Sequence, residues 1–398
     1  MKAYTSKKDI ASQKAFIVDD MMLTTDMPTA AGSKMLDGYM SLIEAEAICR
    51  ARNAGYELIG KADVGEFAID LVGETSYNGA ITCGGALKNA AAEIIKSGEA
   101  TAAICLDVNG SVRRAAAQSG LVSIKPTYGT VSRFGTVPVA CSGECVSVMA
   151  DSVSEAKALL CAIAGHDAKD GTSLSEELCA SVKADAKELR RVALITSMTK
   201  GVDNVVMAKL EAAKAALVAN GVEVVEIENE TVAAARAAWN ILMSAELCNN
   251  VSRYDGVKYG YRAENFSGLD ELYTNSRTEA FGELLKKAIL FGSDTLSTEN
   301  YMKVYDKALR VRRVIVESFA KMFTEFDAVM MPACSVMEYT EDMVKANASM
   351  SYEENFYTAP ASISGLPAVV AGGVQLVGKA FSEGTLIGAA QILVKEGK

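Results

Sequence analysis

One segment between residues 191 and 227 limits the possible folds more than any other. Arg191–Thr196 (RVALIT) is an apolar run typical of a buried strand, and the apolar spacing of Val205–Asn220 predicts a helix that Asp203 can cap. Gly221 ends that helix, and Val222–Ile227 predicts a second strand. Because a strand, a helix and a strand of these lengths usually form a parallel crossover, the segment predicts a parallel α/β sheet.

Other elements can be predicted on either side of this unit. Ala15–Val18 is typical of a short buried strand, Leu42–Ala54 of a helix closed by Gly55, and Tyr56–Gly60 of another strand. Residues 232–326 are mainly helical, with amphipathic stretches at 284–290 and 304–322. No internal repeat or low-complexity linker divides the chain. We therefore expect a single domain over residues 1–398 with a mainly helical segment at about 232–326.

Composition excludes several classes of protein. Half of the 398 residues are apolar, yet no apolar run reaches the roughly 18 residues of a membrane span. The polar N-terminus MKAYTSKKDIASQK lacks the apolar stretch of a secretory signal, so a cytoplasmic protein is expected. The formal charge is −10, and the basic residues do not cluster. Direct binding of nucleic acid is therefore not expected.

The cysteine and histidine content argues against metal and histidine-dependent chemistry. Nine scattered cysteines without a CxxC pair are typical of free thiols in a reducing compartment. Because His166 is the only histidine, a two-histidine metal site is impossible and any Ser-His-Asp triad would have to use it. His166 lies in the polar run AGHDAKDGTS, which favours a surface position. The glycine-rich phosphate-binding motifs are missing as well, so no cofactor or metal is expected.

Several segments resemble one known family. Residues 106–135 (LDVNGSVRRAAAQSGLVSIKPTYGTVSRFG) resemble the core of the amidase signature family, where SDTGGSIRQPA precedes GLKPTYGRVSRYG. Residues 250–292 and the tail GLPAVVAGGVQLVGKAFSEGTL are similar, more specifically, to the A subunit of glutamyl-tRNA(Gln)/aspartyl-tRNA(Asn) amidotransferase. Shorter matches lie between them: GSKML, IGKADVGEFA and AIAGHDAKDGTS. The chain is thus identified as a shortened, divergent member of this family.

The resemblance implies a fold, a mechanism and partners. Members have a mixed, mostly parallel sheet covered by helices on both faces. In their Ser–cis-Ser–Lys triad, a neutral lysine takes a proton through a bridging serine and so activates the nucleophilic serine. In the A subunit this serine hydrolyses glutamine, and the ammonia passes to a B subunit that amidates glutamate on tRNA. The expected partners are therefore B- and C-like subunits and glutamine or another small amide.

The nucleophile position of the family falls on Ser111. Asp107, Gly110, Ser111 and Arg113 all agree with the family pattern, and backbone N–H groups beside the serine would stabilise an oxyanion. Val108-Asn109 replace the family's Thr-Gly, and their bulk should hinder a substrate. The alternative is that Ser111 only ends a tight glycine turn.

The family's lysine and bridging serine have no obvious counterparts. Val18 occupies the lysine position, and valine cannot accept a proton. The nearest lysine, Lys14, is four strand residues away, or roughly 13 Å. The cis-serine position falls on Leu87 or Lys88, depending on the alignment. Lys88 could replace the base if burial depressed its pKa, or it could be a solvated lysine before a helix at 90–97.

Two residues match the family's glutamine-binding region. Tyr261 and Arg312 lie in YGYR and KALRVRR, and the resemblance assigns them, with Asp107 and Gly110, to substrate binding. Arg312 could clamp a substrate carboxylate, or it could belong to a solvated helix face. Asn355 replaces the carboxylate that the family carries nearby.

Two functions remain open at this point. One is an active, divergent amidase that uses Ser111 with Lys88 as base. The other is a catalytically impaired relative, or pseudoenzyme, that acts as a scaffold for a B- or C-like subunit. Because loss of the base and relay of such a triad typically costs several orders of magnitude in rate, the sequence favours the impaired relative.

Overall fold

A computed structural model describes residues 3–10, 12–183 and 188–394 of the chain. Over these residues the strands are β1 Tyr4–Lys7, β2 Ala15–Asp19, β3 Glu57–Ala62, β4 Ile81–Cys83, β5 Ala86–Lys88, β6 Ala102–Asp107, β7 Val122–Lys125, β8 Cys145–Ala150, β9 Arg191–Ile195, β10 Glu223–Ile227, β11 Ala328–Met331, β12 Ala368–Ala371 and β13 Val374–Gly378. The helices are α1 Glu46–Asn53, α2 Ala90–Lys96, α3 Ser111–Ser119, α4 Val153–Ile163, α5 Glu176–Ala180, α6 Asn204–Ala219, α7 Glu230–Ala233, α8 Ala235–Val251, α9 Leu269–Ala280, α10 Glu283–Thr295, α11 Asp306–Met322, α12 Glu341–Ala346, α13 Met350–Ser364 and α14 Glu383–Val394. A π-helical turn, Tyr301–Tyr305, precedes α11.

The centre of the molecule is one large mixed sheet. Its described strands follow the order β1-β3-β2-β6-β8-β7-β12-β13-β11-β9-β10, and β4 and β5 form a separate hairpin. Parallel pairs lie in two groups, β3-β2-β6 and β11-β9-β10. Antiparallel pairs connect the two groups through β8, β7, β12 and β13. The predicted mixed α/β sheet is confirmed, with parallel pairing confined to the two groups.

Helices cover both faces of this sheet, as predicted. The alternation of side chains along β2 shows the two layers: Phe16 and Val18 belong to the larger apolar core, and Ile17 to the smaller one. Helices α1, α4, α8 and α11 contribute to the larger core, whereas α2 and α3 contribute to the smaller one. The two layers bury all of β2, so this strand has no solvent-facing side.

The strand–helix–strand unit has the predicted form. β9 and β10 are parallel with Arg191 opposite Glu223, and α6 crosses between them. Asp203 caps α6 by accepting a hydrogen bond from the Val206 N–H at 2.7 Å. Val206 and Leu210 are buried under the helix, which matches the apolar spacing that predicted it.

Helix α1 is shorter than the sequence predicted. It starts at Glu46 rather than at Leu42, which is 96% exposed. The backbone explains the difference, because the Ala45 N–H donates to Leu23 O at 2.9 Å and the Glu46 N–H to Phe134 O at 3.1 Å. These long-range hydrogen bonds hold the preceding residues in an extended conformation. The predicted helix end is correct, since Gly55 follows with a φ of +85°.

The segment at 232–326 is helical throughout its secondary structure, as predicted. Helix α8 lies at its centre and packs against α10, α11 and α13. The amphipathic stretches bury Leu285 and Ala288 from α10, and Ile315 and Phe319 from α11. Among the described residues, no helix is both long and apolar enough to cross a membrane.

The parallel strands β3, β2 and β6 all have their carboxyl ends at one edge of the sheet. Because these strands run in the same direction, Asp19, Ala62 and Asp107 end them at a common edge. We call it the carboxyl edge. Helix α3 begins four residues beyond Asp107, so Ser111 lies at this edge.

Candidate functional site

A tight turn joins β6 to α3 and places Ser111 at the first position of the helix. Gly110 has a φ of +85°, a conformation that favours glycine, and an added Cβ would overlap the Thr358 side chain. The Gly110 N–H donates to Asp107 Oδ1 at 3.0 Å and closes the turn. The turn that the sequence predicted is thus present, and it admits no larger residue at position 110.

A buried arginine fixes this turn to two other elements. Arg113 is fully buried and pairs with Asp107, with its Nε 2.8 Å from Oδ2. It also donates to Ser362 Oγ at 2.7 Å on α13, and to Gln375 Oε1 at 2.8 Å on β13. Burial alone would raise the pKa of Asp107, but the Arg113 guanidinium beside it holds the pKa below its usual value. The Asp107 predicted to bind substrate is therefore an internal ion-pair partner.

Ser111 has no visible activating group. Its side chain is 5% exposed, and in the described part of the chain no hydrogen bond involves its Oγ. Val18, at the family's lysine position, is fully buried in the larger apolar core. The Cα of Val18 pairs with Ile104 on one side and with Lys61 on the other. The position that should supply a base is therefore part of the core.

Lys14 lies at the wrong end of β2 to act on Ser111. It precedes the amino end of the strand, and its Nζ lies 5.4 Å from the ring centroid of Tyr56. Because β2 and β6 are parallel, Ser111 follows the opposite edge of the sheet. The strand geometry argues against the rearrangement that Lys14 would need.

The cis-serine position belongs to the hairpin of β4 and β5. Leu87 is buried in the smaller core, and its N–H donates to Tyr339 O at 2.7 Å. Lys88 Nζ pairs with Glu338 Oε1 at 2.9 Å, and the glutamate side chain is 64% exposed. Whichever alignment is chosen, this position carries either a core leucine or a lysine paired at the surface. The structure shows no hydrogen bond between Lys88 and Ser111.

Two residues before Ser111, Asn109 belongs to a buried cluster of amide side chains and an indole. Asn109 Oδ1 accepts a hydrogen bond from Trp239 Nε1 at 3.0 Å, and Asn109 Nδ2 donates to Ile69 O at 2.8 Å. The Asn355 amide lies 2.7 Å from Asn240 Oδ1 and 2.9 Å from Asn109 Oδ1. Asn109, Trp239 and Asn355 are at most 1% exposed. We call Asn109, Trp239, Asn240 and Asn355 the amide cluster.

The two residues predicted to bind glutamine have other partners. Arg312 Nη2 donates to Ser142 O at 2.9 Å, and its Nη1 to Ser142 Oγ at 3.1 Å. The Tyr261 hydroxyl donates to the Glu279 carboxylate, and Lys34 Nζ lies 3.9 Å from the centroid of its ring. Arg312 and Tyr261 share no hydrogen-bond partner among the described residues. Their contacts do not define a common substrate pocket.

Two fully buried lysines, Lys61 and Lys125, were missed in the sequence. Lys61 is fully buried on β3 and lies opposite Val18 in register, so both side chains point to the same face. Its Nζ hydrogen-bonds the Thr29 hydroxyl and lies 3.4 Å from Asp20 Oδ1. Burial lowers the pKa of Lys61, and the Asp20 carboxylate opposes that shift. The motif IGKADVGEFA directly after a predicted strand could have revealed this lysine, which contacts Asp20 rather than Ser111.

His166 is at the surface, as predicted, with its Nδ1 2.8 Å from Leu174 O. All nine cysteines are free thiols, and Cys83 is exposed. Within residues 3–10, 12–183 and 188–394, no three His, Cys, Asp or Glu side chains are grouped so as to hold a metal ion.

Comparison with known proteins identifies the class first. The family model described as Amidase matches residues 15–387, so the chain belongs to the amidase signature family. Within it, the chain is similar to the A subunit of glutamyl-tRNA(Gln) amidotransferase. It is 36% identical over 404 residues to the protein of that name from Lachnoclostridium phytofermentans, covering 94% of this chain and 82% of the relative. The Streptococcus pneumoniae (strain JJA) relative of the same name is 34% identical over 392 residues, covering 94% and 80%.

Solved structures agree with the fold. The crystal structure of the glutamyl-tRNA(Gln) amidotransferase A subunit from Thermotoga maritima superposes with a TM-score of 0.81 at 24% identity, covering 100% of this chain and 88% of the other. The urea amidolyase of K. lactis reaches the same TM-score at 20% identity, with 98% of this chain and 24% of the other covered. At these identities the superpositions establish the architecture, and the function has to be argued from the site.

Proposed function

We propose that this chain is a catalytically impaired relative of the glutamyl-tRNA(Gln) amidotransferase A subunit that serves as a scaffold for B- and C-like subunits. The observation that carries the proposal is the environment of Ser111. Its Oγ lacks a hydrogen-bonded base among the described residues, and Asn109, two residues before it, is held in the buried amide cluster. A serine hydroxyl without a base is a weak nucleophile at neutral pH.

The magnitude of the loss supports this interpretation. A triad enzyme without its base and relay typically retains only the small acceleration that comes from substrate binding and oxyanion stabilisation. Here Val108 and Asn109 also stand where the family has Thr-Gly, so we expect their bulk to reduce that residual binding as well. Both losses act in the same direction, and efficient hydrolysis of glutamine is not expected.

An active, divergent amidase is the second candidate, and one observation favours it. The Gly110 turn is intact and places Ser111 at the N-terminus of α3, where free backbone N–H groups can bind an oxyanion. This candidate requires Lys88 to leave Glu338 and approach Ser111, with glutamine or another small amide as substrate.

Ammonia release from purified protein separates the two candidates. The wild-type chain and a Ser111→Ala variant are incubated with glutamine and with simple amides, alone and with B and C subunits of a bacterial amidotransferase. The proposal expects no difference between the two proteins, and co-elution of the chain with the added subunits. Serine-dependent ammonia release would establish the active amidase instead. Failure to co-elute would remove the scaffold role.

We further propose that residues 1–398 form a single cytoplasmic domain that does not itself bind nucleic acid or membranes. Strands from residue 4 to residue 378 contribute to one sheet, and the helical segment packs onto α13 through α8. Limited proteolysis tests the domain boundary, since a separate domain would release residues 232–326 as a stable fragment.

A further inference from the structure

A cavity of about 490 Å³ lies on the side of α13 that faces away from Ser111. Met350, Glu353 and Tyr357 line it, and their spacing of three and four residues places them on one face of the helix. Asn355, which belongs to the amide cluster, is two residues from both Glu353 and Tyr357 and therefore lies on the opposite face. The cavity is thus separate from the position of the family's active site.

A guanidinium on the cavity wall has no carboxylate partner. Arg236, from α8, is exposed and forms no ion pair with the described residues. Its Cζ lies 5.8 Å from the ring centroid of Phe356, which also lines the cavity. The fork of N–H donors is therefore held over an aromatic ring with its hydrogen-bonding capacity available. A guanidinium in this state is suited to bidentate binding of a carboxylate.

A buried carboxylate on the same wall is only half satisfied. Glu354 is 5% exposed, and its Oε2 accepts hydrogen bonds from the Ser335 N–H at 3.0 Å and from the Tyr339 hydroxyl at 2.6 Å. Its Oε1 accepts none from the residues that the structure describes. Because Glu354 lines the cavity, an ammonium group of a ligand there can donate to this oxygen.

Arg236 and Glu354 both line this cavity, so one small molecule in it can contact both charges. Met350 and Phe356 supply apolar side chains to the lining of the same cavity. We propose that this cavity binds a free α-amino acid with an apolar side chain. Arg236 binds its carboxylate, Glu354 its ammonium group, and Met350 and Phe356 contact its side chain.

Calorimetric titration of the full-length chain tests the proposal. The probes are L-leucine, L-methionine and L-glutamine, together with L-leucine methyl ester and N-acetyl-L-leucine, each of which lacks one of the two charges. We expect L-leucine to bind at least about tenfold more tightly than either derivative. The Arg236→Gln variant should lose the discrimination against the ester, and Glu354→Gln the discrimination against the N-acetyl compound. Arg313→Gln, an exposed arginine on α11, is the matched control and should bind as the wild type does.

Three results would overturn the proposal. The first is the lack of binding heat with any of the free amino acids at millimolar concentration. The second is binding that Arg236→Gln leaves unchanged; this variant is informative even if Glu354→Gln unfolds, because Arg236 is exposed. The third is binding of L-glutamine that Ser111→Ala or Asn355→Ala weakens while Arg236→Gln does not, since that would place the ligand at the family's site. The proposal does not depend on whether Ser111 is active.

Discussion

The turn that carries Ser111 and the two positions predicted to activate it differ in the contacts they make. The turn contains Gly110, and the buried Arg113 is hydrogen-bonded to its partners. Val18, by comparison, is a core residue, and Lys88 is an ion-pair partner at the surface. The difference follows from what each part does for the fold. Val18 fills part of the apolar core, and Lys88 makes one ion pair with Glu338.

The retained turn, by contrast, also holds the molecule together. Arg113 connects β6 with α13 and β13 through Asp107, Ser362 and Gln375. Position 110 has to be glycine because α13 approaches it closely and Thr358 leaves no room for a Cβ. Retention of these residues is therefore expected with or without catalysis, and Ser111 itself is the only part of the turn that chemistry alone would preserve.

The largest expected effect comes from breaking the buried ion pair between Arg113 and Asp107 in the turn. Arg113→Met removes the partner of a fully buried carboxylate and leaves Asp107 uncompensated. We expect a loss of about 3–5 kcal/mol in the free energy of unfolding, measured by urea denaturation followed by circular dichroism. The control is Arg313→Gln, whose side chain is 82% exposed, with an expected change within about 0.5 kcal/mol. Similar effects of the two substitutions would contradict a structural role for the turn.

A second expected effect uses pH to contrast two buried carboxylates. Burial raises the pKa of Glu66 to about 7, although Ser33 and Gly282 donate hydrogen bonds to it. Because the folded-state pKa lies above the unfolded value, stability is fully present at low pH and is lost as the pH rises to about 7, by up to roughly 3 kcal/mol. Asp107 has the opposite sign, since its pKa is lowered and its contribution is lost only in acid.

The measurement is urea denaturation between pH 5 and pH 8. The Glu66→Gln variant should show a flatter decline of stability with pH than the wild type. Burial also raises the pKa of Asp19 to about 7 and that of Asp20 to about 6, so the comparison of the two curves isolates Glu66. Parallel curves would mean that Glu66 is already ionised in the folded protein at neutral pH.

Local patterns predicted the parts of the fold that are determined locally. The cap at Asp203, the helix after it and the parallel strand pair follow from side chains within one segment. The start of α1 could not be predicted, because the Ala45 N–H bonds a carbonyl 22 residues earlier in the chain. The hydrogen bond between Asn109 and Trp239 joins residues 130 positions apart. The sequence therefore predicted the glycine turn before Ser111, which the structure has, but gave no indication that Asn109 bonds to Trp239.

A third expected effect concerns the hydrogen bond between Asn109 and Trp239. Asn109→Ala leaves the buried indole N–H of Trp239 without its acceptor, so we expect a loss of about 1–3 kcal/mol in the free energy of unfolding. The control is Asn249→Ala on the exposed face of α8, which should change stability by less than about 0.5 kcal/mol. The Asn109 variant should also release no ammonia from glutamine, because space alone does not supply a base. Ser111-dependent release in this variant would show that steric blockage was the main loss.

The smallest expected effect is at Lys88, whose ion pair lies at the surface. Its partner Glu338 is mostly exposed, so Lys88→Met should cost less than about 1 kcal/mol, as should Lys345→Met, which breaks the exposed pair with Glu341. Neither substitution should change the background of ammonia release. If the wild type released ammonia in a Ser111-dependent way and Lys88→Met alone abolished it, Lys88 would be the base, and the hairpin of β4 and β5 would have to move toward α3 during turnover. The ion pair with Glu338 argues against that movement, because the movement would have to break it.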